Sequence, residues 1–142
     1  CLSKFHIHSI EQPIKQGNWD LIRLIVEKSP IPIALDEELI GVNSSEEKKR
    51  LLQLIRPDYI IIKPSLHGGL VGSTEWIALA QEFDVKWWIT SALESNVGLS
   101  AIAQFVSEFK NDLPQGLGTG SLYTNNIESN LKVDQGFIYT LK

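Results

Sequence analysis

The chain has 142 residues, 43% of them hydrophobic, which is the size and composition of one globular domain. Its net charge of −4, with no basic stripe, argues against a nucleic acid partner. No apolar stretch is long enough to span a bilayer, and the single cysteine, Cys1, excludes an internal disulfide framework. We therefore expect a cytoplasmic domain with no membrane partner.

The first half of the chain alternates stretches that are typical of strands and of helices. Short β-branched runs predict the strands, and apolar residues at near-helical spacing predict the helices. In chain order the predicted elements are a strand over 5–10, a helix over 18–28, a strand over 31–35 and a helix over 45–55. Asn18 is the expected N-cap of the first helix, and the second is expected to open at Ser44 or Ser45.

The second half continues the alternation. In chain order it predicts a strand over 59–62, a flexible glycine-containing loop over 67–72, a helix over 74–83, a strand over 87–90 and a helix over 99–109. The run Tyr-Ile-Ile-Ile at 59–62 is typical of a strand that is covered on both faces. A glycine-rich segment over 113–120 and a final strand over 136–141 complete the chain.

This order of elements predicts the fold class. Strands that alternate with helices form parallel sheets, and even spacing favours a barrel over an open sheet. A complete (β/α)₈ barrel takes about 250 residues, so the sequence predicts an α/β fold that is only a portion of such a barrel. Residue 1 is not methionine and the chain contains none, so we expect further strands upstream.

Each of the first four predicted strands is followed by a polar residue. The four residues are Glu11, Asp36, Lys63 and Ser91, separated by 25, 27 and 28 residues, which is the length of one β/α unit. The carboxyl ends of parallel strands are where barrel enzymes keep their active sites. An enzyme is therefore the leading hypothesis.

Two of these residues suggest a metal site and one suggests catalysis. Glu11 and Asp36 would lie at one rim, and such oxygens are the ligands of a hard divalent cation such as Mg²⁺. The alternative for each is a helix cap or a solvated loop acid. Lys63 follows a buried strand, so its ammonium either reaches out to solvent or faces a polar cavity, where it would serve as a base or an electrostatic group.

Two further motifs have weaker functional interpretations. His6 and His8 are spaced like a metal-binding pair, but strand alternation places both on the face opposite Glu11. The sequence GLGTG at 116–120 lacks the lysine of a phosphate-binding loop. It is expected to bind a carboxylate through its backbone N–H groups, or to be a tight turn.

Three segments carry a resemblance to a known family. LDEEL, IIIKPSLHGGL and SALESNVGL are similar to the later barrel strands of the enolase superfamily, in its muconate-lactonizing-like subgroup. The resemblance extends from about Ile7 to Tyr123. It implies that residues 1–123 are the later β/α units of the barrel and that 124–142 is an extension returning to a capping domain outside this chain.

The resemblance also implies roles for individual residues. Glu11 and Asp36 resemble the second and third metal ligands, and Lys63 resembles a substrate-facing lysine on the sixth strand. Three weaker matches, to the region that contacts the substrate's succinyl end, are Ser91, Gly118 and Thr119. The cofactor implied is Mg²⁺, with Mn²⁺ as the alternative, and the first metal aspartate and a lysine pair would lie upstream.

The implied reaction is the syn dehydration of a cyclohexadiene carboxylate through an enediolate. A racemase or epimerase acting on N-acylated amino acids or dipeptides is the alternative within the superfamily, and a non-catalytic barrel segment is the alternative outside catalysis. The expected partners are a small carboxylate substrate and the upstream part of the same protein, while the oligomeric state is left open.

Overall fold

The structure, a computed structural model, describes residues 2–118 and 122–140. Among these residues, a parallel four-stranded sheet has the order β1-β2-β3-β4. Its strands are Ile10–Glu11 (β1), Ile33–Leu35 (β2), Tyr59–Ile62 (β3) and Lys86–Ile89 (β4). Spatial order follows chain order, as expected for consecutive β/α units with right-handed crossovers.

Helices connect the strands and follow β4. They are Trp19–Lys28 (α1), Ser45–Ile55 (α2), Gly69–Glu82 (α3) and Asn96–Ser107 (α4), with short 3₁₀ helices at Leu2–Lys4 and Glu37–Leu39. The predicted caps are confirmed: Asn18 accepts a hydrogen bond from the Leu21 amide, and Ser44 accepts one from the Glu47 amide. Such caps satisfy backbone donors in the first turn that have no partner within the helix.

The two faces of the sheet are packed differently. Alternate strand residues contact the helices and form the main core, including Leu35, Ile60, Ile62 and Trp87. Residues on the opposite face, which we call the inner face, form a smaller cluster of Ala34, Tyr59 and Ile61 with Trp88 and Leu113 against it. Helices on one face and an inner face on the other define a partial barrel with parallel strands, as predicted.

The start of α3 differs from the prediction. Residues 69–72, predicted to lie in a flexible loop, are helical. Glycine is required at position 72 because the helix backbone there packs closely against the preceding turn. A Cβ on Gly72 would lie 2.1 Å from the carbonyl oxygen of His67. Gly68, the N-cap, has φ of +85°, a conformation that glycine adopts without steric cost.

The ends of the chain also differ from the prediction. Strand β1 has two residues instead of the predicted six, because residues 6–9 form no regular ladder. The single terminal strand is instead an antiparallel hairpin, Leu131–Asp134 (β5) and Phe137–Thr140 (β6), joined at Gln135 and Gly136, both with positive φ. Ile138 of this hairpin packs against the main core.

Candidate functional site

The predicted site residues lie at the carboxyl ends of the four parallel strands. Glu11 ends β1 in register with Ala34 of β2, and Asp36 follows β2. Lys63 follows β3, and Ser91 lies two residues beyond β4. Parallel strands end at a common rim, so four positions spread between residues 11 and 91 come to one edge of the barrel.

Lys63 forms an ion pair with Asp36. The lysine Nζ donates to Asp36 Oδ2, with the lysine side chain 18% exposed and the aspartate side chain 1% exposed. A charge-assisted hydrogen bond in such a sheltered position is stronger than one in water. Lys63 therefore faces the polar rim, and the alternative of a lysine reaching out to solvent is not what the structure shows.

Glu11 and Asp36 interact unfavourably as two carboxylates. Burial raises the pKa of Glu11 above its usual value, and the neighbouring Asp36 raises it further, while Lys63 opposes both effects. Within the described part of the chain, Asp36 Oδ1 is buried and accepts no hydrogen bond. A buried acceptor without a donor beside a second carboxylate is an arrangement that a divalent cation would relieve.

The two carboxylates fit as part of a divalent metal site. Residues 2–118 and 122–140 contain no group of three or more His, Cys, Asp or Glu side chains placed to hold a metal. Hard cations require six or more oxygen ligands, many of them water. Glu11 and Asp36 would thus supply two ligands, and no third His, Cys, Asp or Glu among the described residues is placed to join them.

A cleft of about 430 Å³ opens beside these residues. Glu11, Lys63 and Ser91 line it, and most of the other lining residues are apolar. The other lining residues are Ile61, Leu66, Trp88, Thr90, Ala92 and Leu93. An apolar pocket with a few convergent polar groups has the properties of a site for a small organic acid.

A larger depression of about 680 Å³ lies at the opposite end of the strands. It is formed by the loops that precede β3 and β4, including Arg56 and Asp84. In barrels that end contributes to stability and the carboxyl end contributes chemistry. We therefore place the candidate site at the smaller cleft.

The residues predicted to contact substrate have different positions. Ser91 is 5% exposed, lines the cleft and donates its amide hydrogen to Gly116 O. The glycine-rich segment continues the barrel edge, because the Gly116 amide donates to Ile89 O. Gly118 is exposed, with open space where a Cβ would lie. Thr119 lies outside the described residues.

His8 contradicts the prediction that both histidines lie opposite Glu11. Its ring centroid is 4.8 Å from that of Tyr59 and 6.0 Å from that of Trp88, both on the inner face. The prediction was wrong because residues 6–9 are not in a strand, so two-residue alternation does not extend back from Glu11. The Nδ1 atom of His8 forms a hydrogen bond with Ser9 Oγ.

Sequence reasoning missed a hydrogen-bonded clamp beside the carboxylates. Gln12 follows Glu11, and Glu38 lies two residues beyond Asp36 with 4% of its surface exposed. The two side chains are 3.0 Å apart, from Gln12 Nε2 to Glu38 Oε2. A buried glutamate two residues from Asp36 was visible in LDEEL, but only the fold places Gln12 against it.

His67 is a second missed residue. It is 2% exposed, and its Nδ1 accepts a hydrogen bond of 3.0 Å from the Lys63 amide. Burial lowers the pKa of His67 to about 4. The ring is therefore neutral near pH 7 with its proton on Nε2, which has no hydrogen-bond partner among the described residues.

Comparison with known proteins agrees with this fold. The chain matches the enolase C-terminal domain-like family over residues 1–141. It is 56% identical over 137 residues to the o-succinylbenzoate synthase of Desulfotalea psychrophila, covering 96% of this chain and 37% of that protein. The chain therefore belongs to the enolase C-terminal domain-like family, and the predicted resemblance is confirmed.

Solved structures extend the comparison. The crystal structure of MenC from Desulfotalea psychrophila matches with a TM-score of 0.93 at 55% identity, covering 96% of this chain and 38% of that one. N-succinyl Arg/Lys racemase from Bacillus cereus matches with a TM-score of 0.81 at 28% identity, covering 99% and 37%. The chain thus spans less than two fifths of the length of these relatives. None of the helices described here is long and apolar enough to cross a membrane.

Proposed function

We propose that this chain is part of an enzyme with o-succinylbenzoate synthase activity. The reaction is the syn dehydration of 2-succinyl-6-hydroxy-2,4-cyclohexadiene-1-carboxylate in menaquinone biosynthesis, and the proposed compartment is the cytoplasm. The observation that carries the proposal is the 56% identity to a relative of that name, together with Glu11, Asp36 and Lys63 at one rim. The placement at strand ends supports chemistry there.

The residues of this chain would hold and stabilise charge. Loss of the proton α to the carboxylate places negative charge on the carboxylate oxygens, and the Lys63 ammonium lies at the rim where it would stabilise that charge. Loss of hydroxide, protonated to water, then makes the ring aromatic. The acid/base that moves these protons would be a lysine upstream of this chain, as the family resemblance implies.

Glu11 and Asp36 would hold the metal. Mg²⁺ is the proposed ion, with Mn²⁺ as the alternative, because only oxygen ligands are offered. When bound, such a cation supplies positive charge that would stabilise the additional negative charge on the substrate's carboxylate oxygens in the transition state. Asp36 would then contact both the cation and the Lys63 ammonium, which fixes the lysine relative to the metal.

The far end of the substrate would lie along the cleft. Ser91 lines it, and the exposed backbone of Gly118 is open to a close approach. We propose that these two residues, with Thr119, contact the succinyl carboxylate. The apolar wall formed by Ile61 and Trp88 suits the six-membered ring.

The rest of the barrel would come from the same protein. Strand β1 lies at the edge of the described sheet, and a barrel needs further strands to close. The short share of the relatives' length that this chain spans supports the same conclusion. We propose that upstream β/α units pair with β1 and that residues 124–142 return to a capping domain.

A racemase acting on N-acylated amino acids is the second candidate. It is supported by 29% identity over 100 residues to the N-succinyl-L-Arg/Lys racemase of Bacillus cereus. Racemisation at an α carbon also begins with the removal of a proton α to a carboxylate, so the rim residues would suit it equally. The two activities differ in whether water is lost.

The two candidates are separated by one assay of the full-length protein with Mg²⁺. Dehydration is followed by the absorbance of the cyclohexadiene substrate, and racemisation by polarimetry of N-succinyl amino acids. We expect efficient dehydration and at most slow racemisation. Racemisation without dehydration would replace the first candidate by the second, and the absence of both would leave the non-catalytic alternative.

A further inference from the structure

Gln12 links the two strands that carry the candidate metal ligands. It directly follows Glu11, and its side chain extends to the segment after β2. There Gln12 Oε1 accepts hydrogen bonds of 3.1 Å from the backbone amides of Asp36 and Glu38. One side chain therefore joins the backbone beside the first carboxylate to the backbone that bears the second.

The amide group of Gln12 has no spare hydrogen-bonding capacity. Its Nε2 donates to Ile14 O at 3.0 Å and to Glu38 Oε2 at 3.0 Å, while its Oε1 accepts two bonds. A side-chain amide has two donor hydrogens and two acceptor lone pairs, so all four are used. The partners therefore fix the orientation of the amide group. If its oxygen and nitrogen exchanged places, the NH₂ group would face the donating backbone amides of Asp36 and Glu38.

Glu38 completes the clamp, and each of its two carboxylate oxygens accepts a hydrogen bond. Its Oε1 accepts from the Gly17 amide at 2.8 Å, and its Oε2 accepts from Gln12. Neither oxygen faces a lysine or arginine in an ion pair among the residues the structure describes. Buried carboxylates that accept N–H groups in this way hold the surrounding backbone in place.

The sheet ladder alone does not hold Asp36. The last backbone bond between the two strands runs from the Gln12 amide to Ala34 O at 2.8 Å, and the chain turns into a 3₁₀ helix after Asp36. Gln12 has φ of +35°, a strained value for a residue other than glycine. The four hydrogen bonds of its side chain are what maintain this conformation.

We propose that Gln12, together with Glu38, is the positioning residue that sets the separation of the Glu11 and Asp36 carboxylates for a divalent cation. This inference rests on the proposed metal site. Groups that orient metal ligands without touching the metal typically change metal affinity by about 10- to 100-fold when they are removed.

The test compares Gln12→Ala with Gln16→Ala in the full-length protein. Gln16 is an exposed glutamine on the same loop and serves as the matched control. Binding of Mg²⁺ alone is measured by calorimetry, and hydrogen exchange is measured for peptides covering residues 36–38. We expect Gln12→Ala to weaken Mg²⁺ binding by at least about tenfold and to speed that exchange, and Gln16→Ala to do neither.

A second variant covers the case in which Gln12→Ala does not fold. Glu38→Gln keeps the size of the side chain but replaces one accepting oxygen by an NH₂ group. That group would face one of the two donors, Gln12 Nε2 or the Gly17 amide, so one hydrogen bond of the clamp is lost. We expect a smaller loss of Mg²⁺ affinity with the fold retained. Unchanged affinity in every folded clamp variant would overturn the inference, whereas failure of the unmodified protein to bind Mg²⁺ would overturn the proposed metal site and the inference with it.

Discussion

At the scale of single residues, Lys63 is the group whose environment is most informative. It follows four buried residues of β3, and its ammonium is paired with a carboxylate that is itself 1% exposed. Its backbone amide is held by His67 Nδ1. The lysine is therefore held from both ends, which is what an electrostatic catalyst that must not reorganise requires.

Replacing Lys63 should slow the reaction strongly. We expect Lys63→Ala to lower kcat/KM at least about 100-fold, the lower range for a positioned charged group. Lys63→Arg should not restore it, because a planar guanidinium is bulkier than an ammonium and would not place its charge at the same point beside Asp36. Lys49→Ala, which removes an exposed lysine paired with Glu82, is the control. Near-normal kinetics for both Lys63 variants would remove it from the catalytic site.

The carboxylates should make turnover depend on metal. We expect Glu11→Ala and Asp36→Ala to abolish turnover with the fold largely retained, while Glu46→Ala on the exposed side of α2 has no effect. A chelator should abolish activity and Mg²⁺ should restore it, because both residues offer oxygen ligands. Steady-state assays on the full-length protein check this, and full turnover by metal-stripped enzyme would contradict it.

His67 should make stability depend on pH. Its pKa is about 4 in the folded chain and near 6.5 when unfolded, so between these values the unfolded state binds more protons. The free energy of unfolding should therefore fall as pH is lowered from about 6.5 to about 4, by up to about 3 kcal/mol. His67→Asn keeps an acceptor for the Lys63 amide but does not titrate.

Urea unfolding of both proteins between pH 7.5 and pH 4.5 measures this difference. At neutral pH, we expect the free energies of unfolding of the two proteins to differ by a constant amount. That difference should narrow or reverse as the pH falls, because only the protein with His67 loses stability through this histidine. Parallel curves over the whole range would show that His67 carries no such linkage.

At the scale of elements, the turn between β3 and α3 shows how backbone packing supports the site. The Leu66 and His67 amides both donate to Lys63 O, and Lys48 Nζ donates to Gly72 O at 3.3 Å. The Lys48 ammonium also lies 5.5 Å from the Trp76 ring centroid. The first turn of α3 is therefore joined to α2 on one side and to the end of β3 at Lys63 on the other.

Gly72 should tolerate no side chain. A Cβ there would lie 2.1 Å from His67 O, which is backbone that cannot move without moving the turn after Lys63. We expect Gly72→Ala to destabilise the protein by about 1–3 kcal/mol, despite the helix propensity of alanine. Gly118→Ala, where the space is open, is the control for stability. Denaturant unfolding gives both values, and a neutral Gly72→Ala would contradict the packing argument.

At the scale of the whole molecule, the described residues leave surfaces that a closed barrel would cover. One edge of β1 has no neighbouring strand in the described sheet, and Leu21 and Leu24 of α1 are more than 40% exposed. Ile60, Ile62 and Trp87, by contrast, are buried under the helices. The exposed edge and α1 are therefore the surfaces that need the remaining units.

Residues 1–142 expressed alone should neither form a stable monomer nor catalyse dehydration. An unpaired parallel edge exposes backbone donors and acceptors, and the exposed leucines of α1 favour association. Supplying the upstream segment in trans should restore both properties. Thermal unfolding and product formation, measured for the segment with and without its complement, check this. A cooperative transition with activity from the lone segment would contradict the partial-barrel proposal.

Local sequence determined the order and type of most elements. Several features could be predicted from the sequence directly, because period, capping and turn chemistry act over a few residues. They are the β-branched runs that form β2, β3 and β4, the caps Asn18 and Ser44, and the polar residue at the end of each parallel strand. The even spacing of those ends was sufficient to predict a common rim at Glu11, Asp36, Lys63 and Ser91.

Only the tertiary structure decided which distant groups touch. The clamp of Gln12 on Glu38 joins residues 26 apart, and the burial of His67 against Lys63 needs α3 to begin at Gly69, where glycines had indicated a loop. The position of His8 also depended on where the ladder stops. Such contacts arise from packing and hydrogen bonding between separate β/α units, which no local pattern specifies, because long-range neighbours override propensity.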